Sequence, residues 1–353
     1  GGRANFAHLP MSAGPAHSLP ADQVEALRDL LARPRRIAIV THHNPDGDAM
    51  GSGLGWCRLL RAAGHDAVLV LPNTPAHFLH WMPGFDEVLA VDQDRQRALS
   101  NVRDREVLFC LDFNRLDRIG ELQEAAESAP IRVLVDHHRD PADVFQVVFS
   151  EVTACSTCQL VYDIAIALGW EQLIDEGTAT CLYTGIMTDS GSFRFSSTTA
   201  HTHRVAASLL EKGVRPDRVH EDVMDDNPEH RLRLLGFTLS ERLSVHEHLA
   251  TAVIQLSAED LARHDFHPGD TEGFVNYGLS IRGVRLAAFF MQRGDEVKIS
   301  LRSRGELPVN EFLGAHFHGG GHRNAAGGRS TLGLDATVAR FLELLPPFLE
   351  AHP

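Results

Sequence analysis

No apolar run in the chain approaches the ~18 residues that cross a bilayer, so a helical membrane span is not expected. Residues 1–20 are rich in Gly, Ala, His and Pro and lack the apolar stretch of a secretion signal; they are expected to form a disordered lead, native or added. Positive charge is scarce: 33 Lys and Arg against 47 Asp and Glu leave a net charge of −14. That balance argues against coating long nucleic acid through a broad basic face. It leaves open a short anionic substrate held by a few local cations. Cysteines are few and odd in number, namely Cys57, Cys110, Cys155, Cys158 and Cys181, which fits reduced thiols and a cytoplasmic protein. Cys155 and Cys158 spell C-x-x-C, but one such pair supplies only two zinc ligands and has no thioredoxin-like setting here. Ser156 and Thr157, just before the apolar segment 160–166, read instead as a helix start. Outside the opening lead there is no internal repeat or low-complexity tract.

What is present is an ordinary globular composition, 43% hydrophobic and 23% charged, in a chain of 353 residues, longer than one core usually supports. Two domains are expected. From residue 21 to 213 helix and strand patterns alternate, with buried strands at 37–40, 67–71, 107–111 and 131–135; such alternation predicts a mainly parallel sheet flanked by helices. A helix is expected over 50–63, closed by Gly64, and another over 176–186. The chain becomes highly charged around 221–233, with Asp225-Asp226-Asn227-Pro228 as a breaker. The expected division is a lead at 1–20, a first domain at 21–222, a connector at 223–236 and a smaller mixed α/β domain at 237–353.

Four clusters of acids and histidines carry the chemistry: His42-His43-Asn44-Pro45-Asp46-Gly47-Asp48, Asp112, Asp136-His137-His138 and Asp189. Three of them end buried strand runs, and in an open α/β sheet the carboxyl ends of neighbouring strands converge on one crevice. So many carboxylates at one point repel one another and are costly to desolvate, and more than one bound divalent cation is the simplest remedy. Asp46 and Asp48, read as an extended loop, can each favour a different cation, and His42 can fold back onto the one held by Asp46. Asp112 is the natural bridge, because two cations in a hydrolase lie roughly 3.5–4 Å apart. Adjacent His137 and His138 point apart, so one can bind metal while the other faces a phosphate. Asp136 can fix an imidazole tautomer. Gly51 and Ser52 are expected to open a helix whose first amides receive phosphate oxygens. Gly51-Ser52-Gly53-Leu54-Gly55 has the wrong spacing for a dinucleotide fingerprint, and Gly53 and Gly55 read as close helix–sheet packing.

This set of clusters resembles the DHH phosphoesterase superfamily, which includes RecJ-type exonucleases, family II pyrophosphatases and the small oligoribonuclease/pAp phosphatases. Phe317-His318-Gly319-Gly320-Gly321-His322, followed by Asn324-Ala325-Ala326-Gly327-Gly328, looks like the GGGH signature of the DHHA1 substrate-binding domain and favours the last group. His318 departs from the pattern, since many relatives carry another glycine there. The resemblance implies an N-terminal DHH domain, a C-terminal DHHA1 domain and an active-site cleft between them. It carries over His42, Asp46, Asp48, Asp112, His137 and Asp189 as ligands of two Mn²⁺ ions, with Asp112 bridging. It gives His138 to the substrate phosphate, with Asp136 in support of catalysis. Arg302, Gly319, Gly320, Gly321 and His322, together with Ser52, are the expected substrate contacts; three glycines leave amides open to a phosphate or base edge. The implied activity is removal of 5′-mononucleotides from the 3′ end of short RNA. Hydrolysis of pAp or of linear dinucleotides is the alternative, and a homodimer is compatible with either. A catalytically inactive sensor of nucleotide or metal is the reading from another class; loss of a ligand would favour it, and all six are in place.

Overall fold

The computed structural model describes residues 19–352, so the expected lead falls outside them except for Leu19 and Pro20. By its contacts the chain divides into two compact units, with the break in sequence between Asp226 and Asn227.

The first unit holds strands β1 (Arg36–Val40), β2 (Asp66–Leu71), β3 (Leu89–Ala90), β4 (Val107–Leu111), β5 (Ile131–Asp136) and β6 (Val147–Ser150). Its helices are α1 (Ala21–Leu30), α2 (Gly47–Ala62), α3 (Arg95–Arg103), α4 (Gln123–Glu127), α5 (Thr157–Leu168), α6 (Glu176–Asp189), α7 (Ala200–Glu211) and α8 (Pro216–His220). The strands form one sheet in the order β3-β2-β1-β4-β5-β6, every neighbouring pair parallel. Both faces are covered, which is why the strands read as continuous apolar runs. Ile37 and Ile39 of β1 pack into the layer of α1, α2, α5, α6 and α7, whereas Ala38 and Val40 pack into the opposite layer with α3 and α4. The chain winds outward from β1 to β3 and returns to β4 beside β1. The switch point therefore lies between β1 and β4, where such sheets open a crevice.

The helix after β1 starts earlier than its sequence suggested. Asp46 caps α2, its Oδ1 accepting from the amides of Asp48 and Ala49 at 3.0 Å each, so the helix begins at Gly47 and not at Met50. Asp46 and Asp48 thus belong to a helix start instead of an extended loop, and Gly51 and Ser52 lie a full turn inside it. Gly51 has no room for a side chain: a Cβ there would sit 2.5 Å from the carbonyl oxygen of Cys181 in α6. A Cβ on Gly55 would likewise meet Leu182 of α6 at 2.8 Å, whereas one on Gly53 would meet Leu69 of β2 at 2.9 Å, so the glycines serve close packing against both helix and sheet.

The second unit opens with α9 (Glu229–Glu241), which occupies much of the stretch expected as connector. It continues with β7 (Leu243–His246), β8 (Thr251–Leu256), α10 (Ala258–Arg263), α11 (Phe274–Leu279), β9 (Leu286–Arg293), β10 (Glu296–Ser303), α12 (Val309–His316), β11 (Gly320–His322), β12 (Ala325–Ser330) and α13 (Leu334–Ala351). Its sheet runs β11-β12-β10-β9-β8-β7, mixed because β8 and β9 pair in parallel while the other neighbours are antiparallel. Val297, Ile299 and Leu301 meet α12 and α13 on one face; Ala287, Phe289 and Met291 meet α9, α10 and α11 on the other. All five cysteines are free and buried, and no helix among the described residues is long and apolar enough to cross a membrane.

Candidate metal centre

The four clusters of the first unit converge at the carboxyl ends of β1, β4 and β5, together with the last residue of α6. Nδ1 of His42 is engaged by the His43 carbonyl at 3.0 Å, which turns Nε2 toward Asp112 Oδ2 at 3.4 Å and Asp46 Oδ1 at 3.8 Å. Nδ1 of His137 likewise faces the Ala154 carbonyl at 3.3 Å. Its Nε2 lies 3.5 Å from Asp189 Oδ2, 3.6 Å from Asp112 Oδ1 and 3.8 Å from Asp48 Oδ2. Three groups of donors result, His42–Asp46–Asp112, Asp48–His137–Asp189 and Asp112–Asp136–His138. Asp112 turns Oδ2 toward His42 of the first group and Oδ1 toward His137 of the second.

The imidazole–carboxylate separations of 3.4–3.8 Å are longer than ordinary hydrogen bonds and suit donors arranged around a cation. An anchored Nδ1 that presents Nε2 is also how metal-binding histidines are held. Asp112 is placed by a left-handed backbone, φ 65°, uncommon for a non-glycine residue and the kind of strain that collects at functional sites.

Charge within the cluster is unbalanced. Burial, reinforced by Asp112, Asp189 and Asp46, pushes the Asp48 carboxyl well above its ordinary range. Burial also pushes Asp189 up to about 7, against the opposing pull of His137. At His42 burial works against the charged ring, but Asp112 and Asp46 outweigh it and hold a proton well above the usual imidazole value. Burial would raise Asp112 too, yet the imidazoles around it, His42 foremost, keep it far below the carboxylate range. Buried carboxyls that repel one another beside imidazoles are the imbalance that bound cations would offset.

Two supports went unread in the sequence. Asp48, buried in the first turn of α2, accepts from the Thr157 and Cys158 amides at 2.7 and 2.9 Å, so it tops the positive N-terminus of α5. Thr157 also donates its hydroxyl to Asp112 Oδ1 at 2.9 Å. The expected helix start at Ser156 and Thr157 is present, with Ser156 as its cap. Its contribution to the centre spans more than a hundred residues and leaves no local signature.

Asp136 is fully buried, and its Oδ1 lies 2.7 Å from Nδ1 of His138. Burial opposes a charge on His138, but Asp136 and then Asp112 raise its affinity for a proton. Ser52 is a correction. It is completely buried, its hydroxyl turned to the Ala49 carbonyl at 3.3 Å, and it offers nothing to a ligand because the Asp46 cap starts the helix earlier.

In the second unit the glycine loop is an edge strand, β11, not a free loop. Its Gly320, Gly321 and His322 are exposed and pair with β12. Gly319 is closely packed, since a Cβ there would meet the Gly327 carbonyl oxygen at 2.5 Å. His318 adopts φ 46°, the conformation that glycine takes most easily, which accounts for the preference for glycine at that place. His322 and Arg302 both pair with Ala325 from opposite sides. Residues directly opposite share a face, so the two side chains stand in one row on the same side of the sheet, roughly 10 Å apart.

Residues 36–186 match the DHH family, N-terminal domain, and residues 248–350 match the DHHA1 domain. The bifunctional oligoribonuclease and PAP phosphatase NrnA of Thermus thermophilus is 30% identical over 87% of this chain and 88% of its own length. The protein of the same name from Bacillus subtilis is 24% identical over 82% and 88%. An exopolyphosphatase-related protein from Bacteroides fragilis has a solved structure that superposes with a TM-score of 0.91 at 34% identity, over 95% of this chain and 98% of that one. A parallel sheet with these clusters at its switch point, followed by the second mixed unit, defines a metal-dependent phosphoesterase. The chain belongs to the DHH/DHHA1 phosphoesterase family.

Proposed function

We propose that the protein degrades short RNA oligonucleotides from the 3′ end to 5′-mononucleotides and also dephosphorylates pAp, acting in the cytoplasm with two Mn²⁺ ions. The observation that carries this reading is the division of Asp112 between two donor groups, each completed by an imidazole and carboxylates. The activities printed for the Thermus and Bacillus relatives support the substrate class.

His42, Asp46 and Asp112 would hold one cation, and Asp48, His137, Asp189 and Asp112 the other. When bound, such a pair supplies Lewis acidity: it lowers the pKa of water toward neutrality and draws charge from phosphoryl oxygens. The chain's own residues do the positioning. The α5 amides fix the Asp48 carboxylate and the Thr157 hydroxyl fixes Asp112, so neither needs to reorganise during turnover. Asp136 holds the His138 ring by Nδ1, and a positively charged His138 neutralises a non-bridging phosphate oxygen. Arg302 and His322 offer a cation and a ring for a nucleotide, beside the open backbone of Gly320.

The test is a ranking of initial rates with Mn²⁺-loaded protein on 5′-labelled RNAs of two to twenty residues, matching DNAs and pAp. Rates should fall steeply from di- and trinucleotides toward twenty-mers, with pAp hydrolysed as well. Twenty-mers degraded as fast as dinucleotides would overturn the short-substrate reading.

A further inference from the structure

A separate convergence of ligand-type side chains lies wholly within the second unit. His230 sits in the first turn of α9, and His267 and Asp270 in the loop between α10 and α11. Nε2 of His230 lies 3.1 Å from Asp270 Oδ2 and 3.3 Å from Nδ1 of His267, and that Nδ1 is 3.9 Å from the same Oδ2. Asp270 is buried and its loop closes on itself: the amide of His267 donates to Asp270 Oδ2 at 2.6 Å, and the amide of Asp270 to the His267 carbonyl at 3.1 Å. The carboxylate is therefore held in place whether or not a ligand is present. The imidazole side is open, with His230 28% and His267 59% exposed.

A proton on His230 Nε2 accounts for the short edge to Asp270 but not for the approach of a second imidazole nitrogen to the same atom. A cation accounts for all three edges. Zn²⁺, with bonds of about 2.0–2.1 Å at tetrahedral angles, sets its donors about 3.3 Å apart. The circle through the three atoms observed here has a radius of about 2.0 Å, so an ion at that bond length reaches all three from close to their plane, and turning the exposed His267 ring to shorten the 3.9 Å edge gives the tetrahedral arrangement. The donors, two imidazole nitrogens and one carboxylate oxygen, suit Zn²⁺ better than the oxygen-seeking Mg²⁺ or Ca²⁺.

We infer that His230, His267 and Asp270 form a third divalent-cation site of the zinc class, outside the DHH centre. Its exposed side takes water or an added ligand as the fourth donor. The ion clamps the first turn of α9, where the second unit begins, to the 266–270 loop, whose Phe266 packs against the core that contains Phe274 of α11. The role is structural: the ion stabilises the unit that carries Arg302 and His322 and takes no part in the reaction.

The experiment counts metal in the full-length chain after chelator treatment, equilibration with excess Zn²⁺ and desalting. His267→Ala and His230→Ala should each retain about one Zn²⁺ per chain fewer than wild type, and adding His267→Ala to Asp112→Asn should remove the same single ion. Excess Zn²⁺ should raise the thermal midpoint of Asp112→Asn, and this rise should vanish in the double variant. Substitution with Co²⁺ should give Asp112→Asn a tetrahedral-type visible absorption that the double variant lacks. Because His267 is exposed on a loop, the metal-free variant should unfold at the midpoint of metal-free wild type, which establishes that it is folded. Equal Zn²⁺ content in wild type, His230→Ala and His267→Ala would overturn the site.

Discussion

Nδ1 of His138 is 2.7 Å from Oδ1 of Asp136, a carboxylate with no exposed surface. The pair fixes the ring of a histidine whose neighbour, His137, turns its Nε2 into a group of carboxylates. The two histidines should therefore separate in experiment. His138→Ala should lower kcat with metal content unchanged, and Asp136→Asn should lower it about 10–100-fold by loosening the ring. His137→Ala should lose metal. Metal analysis showing the reverse would exchange the two roles.

Asp112→Asn should be the most damaging single carboxylate change, because Asp112 presents an oxygen to both donor groups. Turnover on a dinucleotide should fall by at least about 100-fold, with loss of both Mn²⁺ ions. Near wild-type turnover would remove the bridging assignment.

Thr157→Val should weaken metal without touching a ligand. It deletes the 2.9 Å hydrogen bond to Asp112 and keeps the shape of the side chain. Mn²⁺ affinity, read by calorimetric titration, should fall about 10–100-fold, and Thr157→Ser should restore most of it. Unchanged affinity in the valine variant would mean that the hydroxyl serves folding alone.

The second unit carries an acid-sensitive pair that shares no residue with either metal site. Arg242 donates two hydrogen bonds of 2.9 Å to the buried Asp260, whose carboxyl the guanidinium holds down at about 2. An unfolded Asp titrates near 3.9, so this stabilisation is complete above about pH 4 and is lost as pH falls through about 2. Denaturant unfolding of wild type and Asp260→Asn should differ most at pH 5, the gap narrowing by about 1–2 kcal/mol toward pH 2. A gap independent of pH would dissociate the pair from acid stability.

The residues that sequence reading located best are those at the ends of apolar runs. Val-Leu-Val before Asp136 and Phe-Cys-Leu before Asp112 mark buried parallel strands, and a polar residue at such an end must face the crevice. Ser52 was misplaced because glycines hid the helix start, and the decisive signal was the cap made by Asp46. The strands β3 and β6 are two and four residues long, too short for a period of two to show. Thr157 lies 45 residues from Asp112 and 109 from Asp48, and no local pattern encodes contacts at that range.

Those same separations govern when the centre comes into being. Its donors span positions 42 to 189, and the amides holding Asp48 belong to a helix that follows all six strands of the sheet. Contacts so remote in sequence close late, after the loops between them have been ordered. A chain still folding has none of the geometry that a cation needs, so ions select the finished first unit and shift its equilibrium by mass action. A cation that binds only the finished centre would therefore hold the first unit folded as well as complete its site.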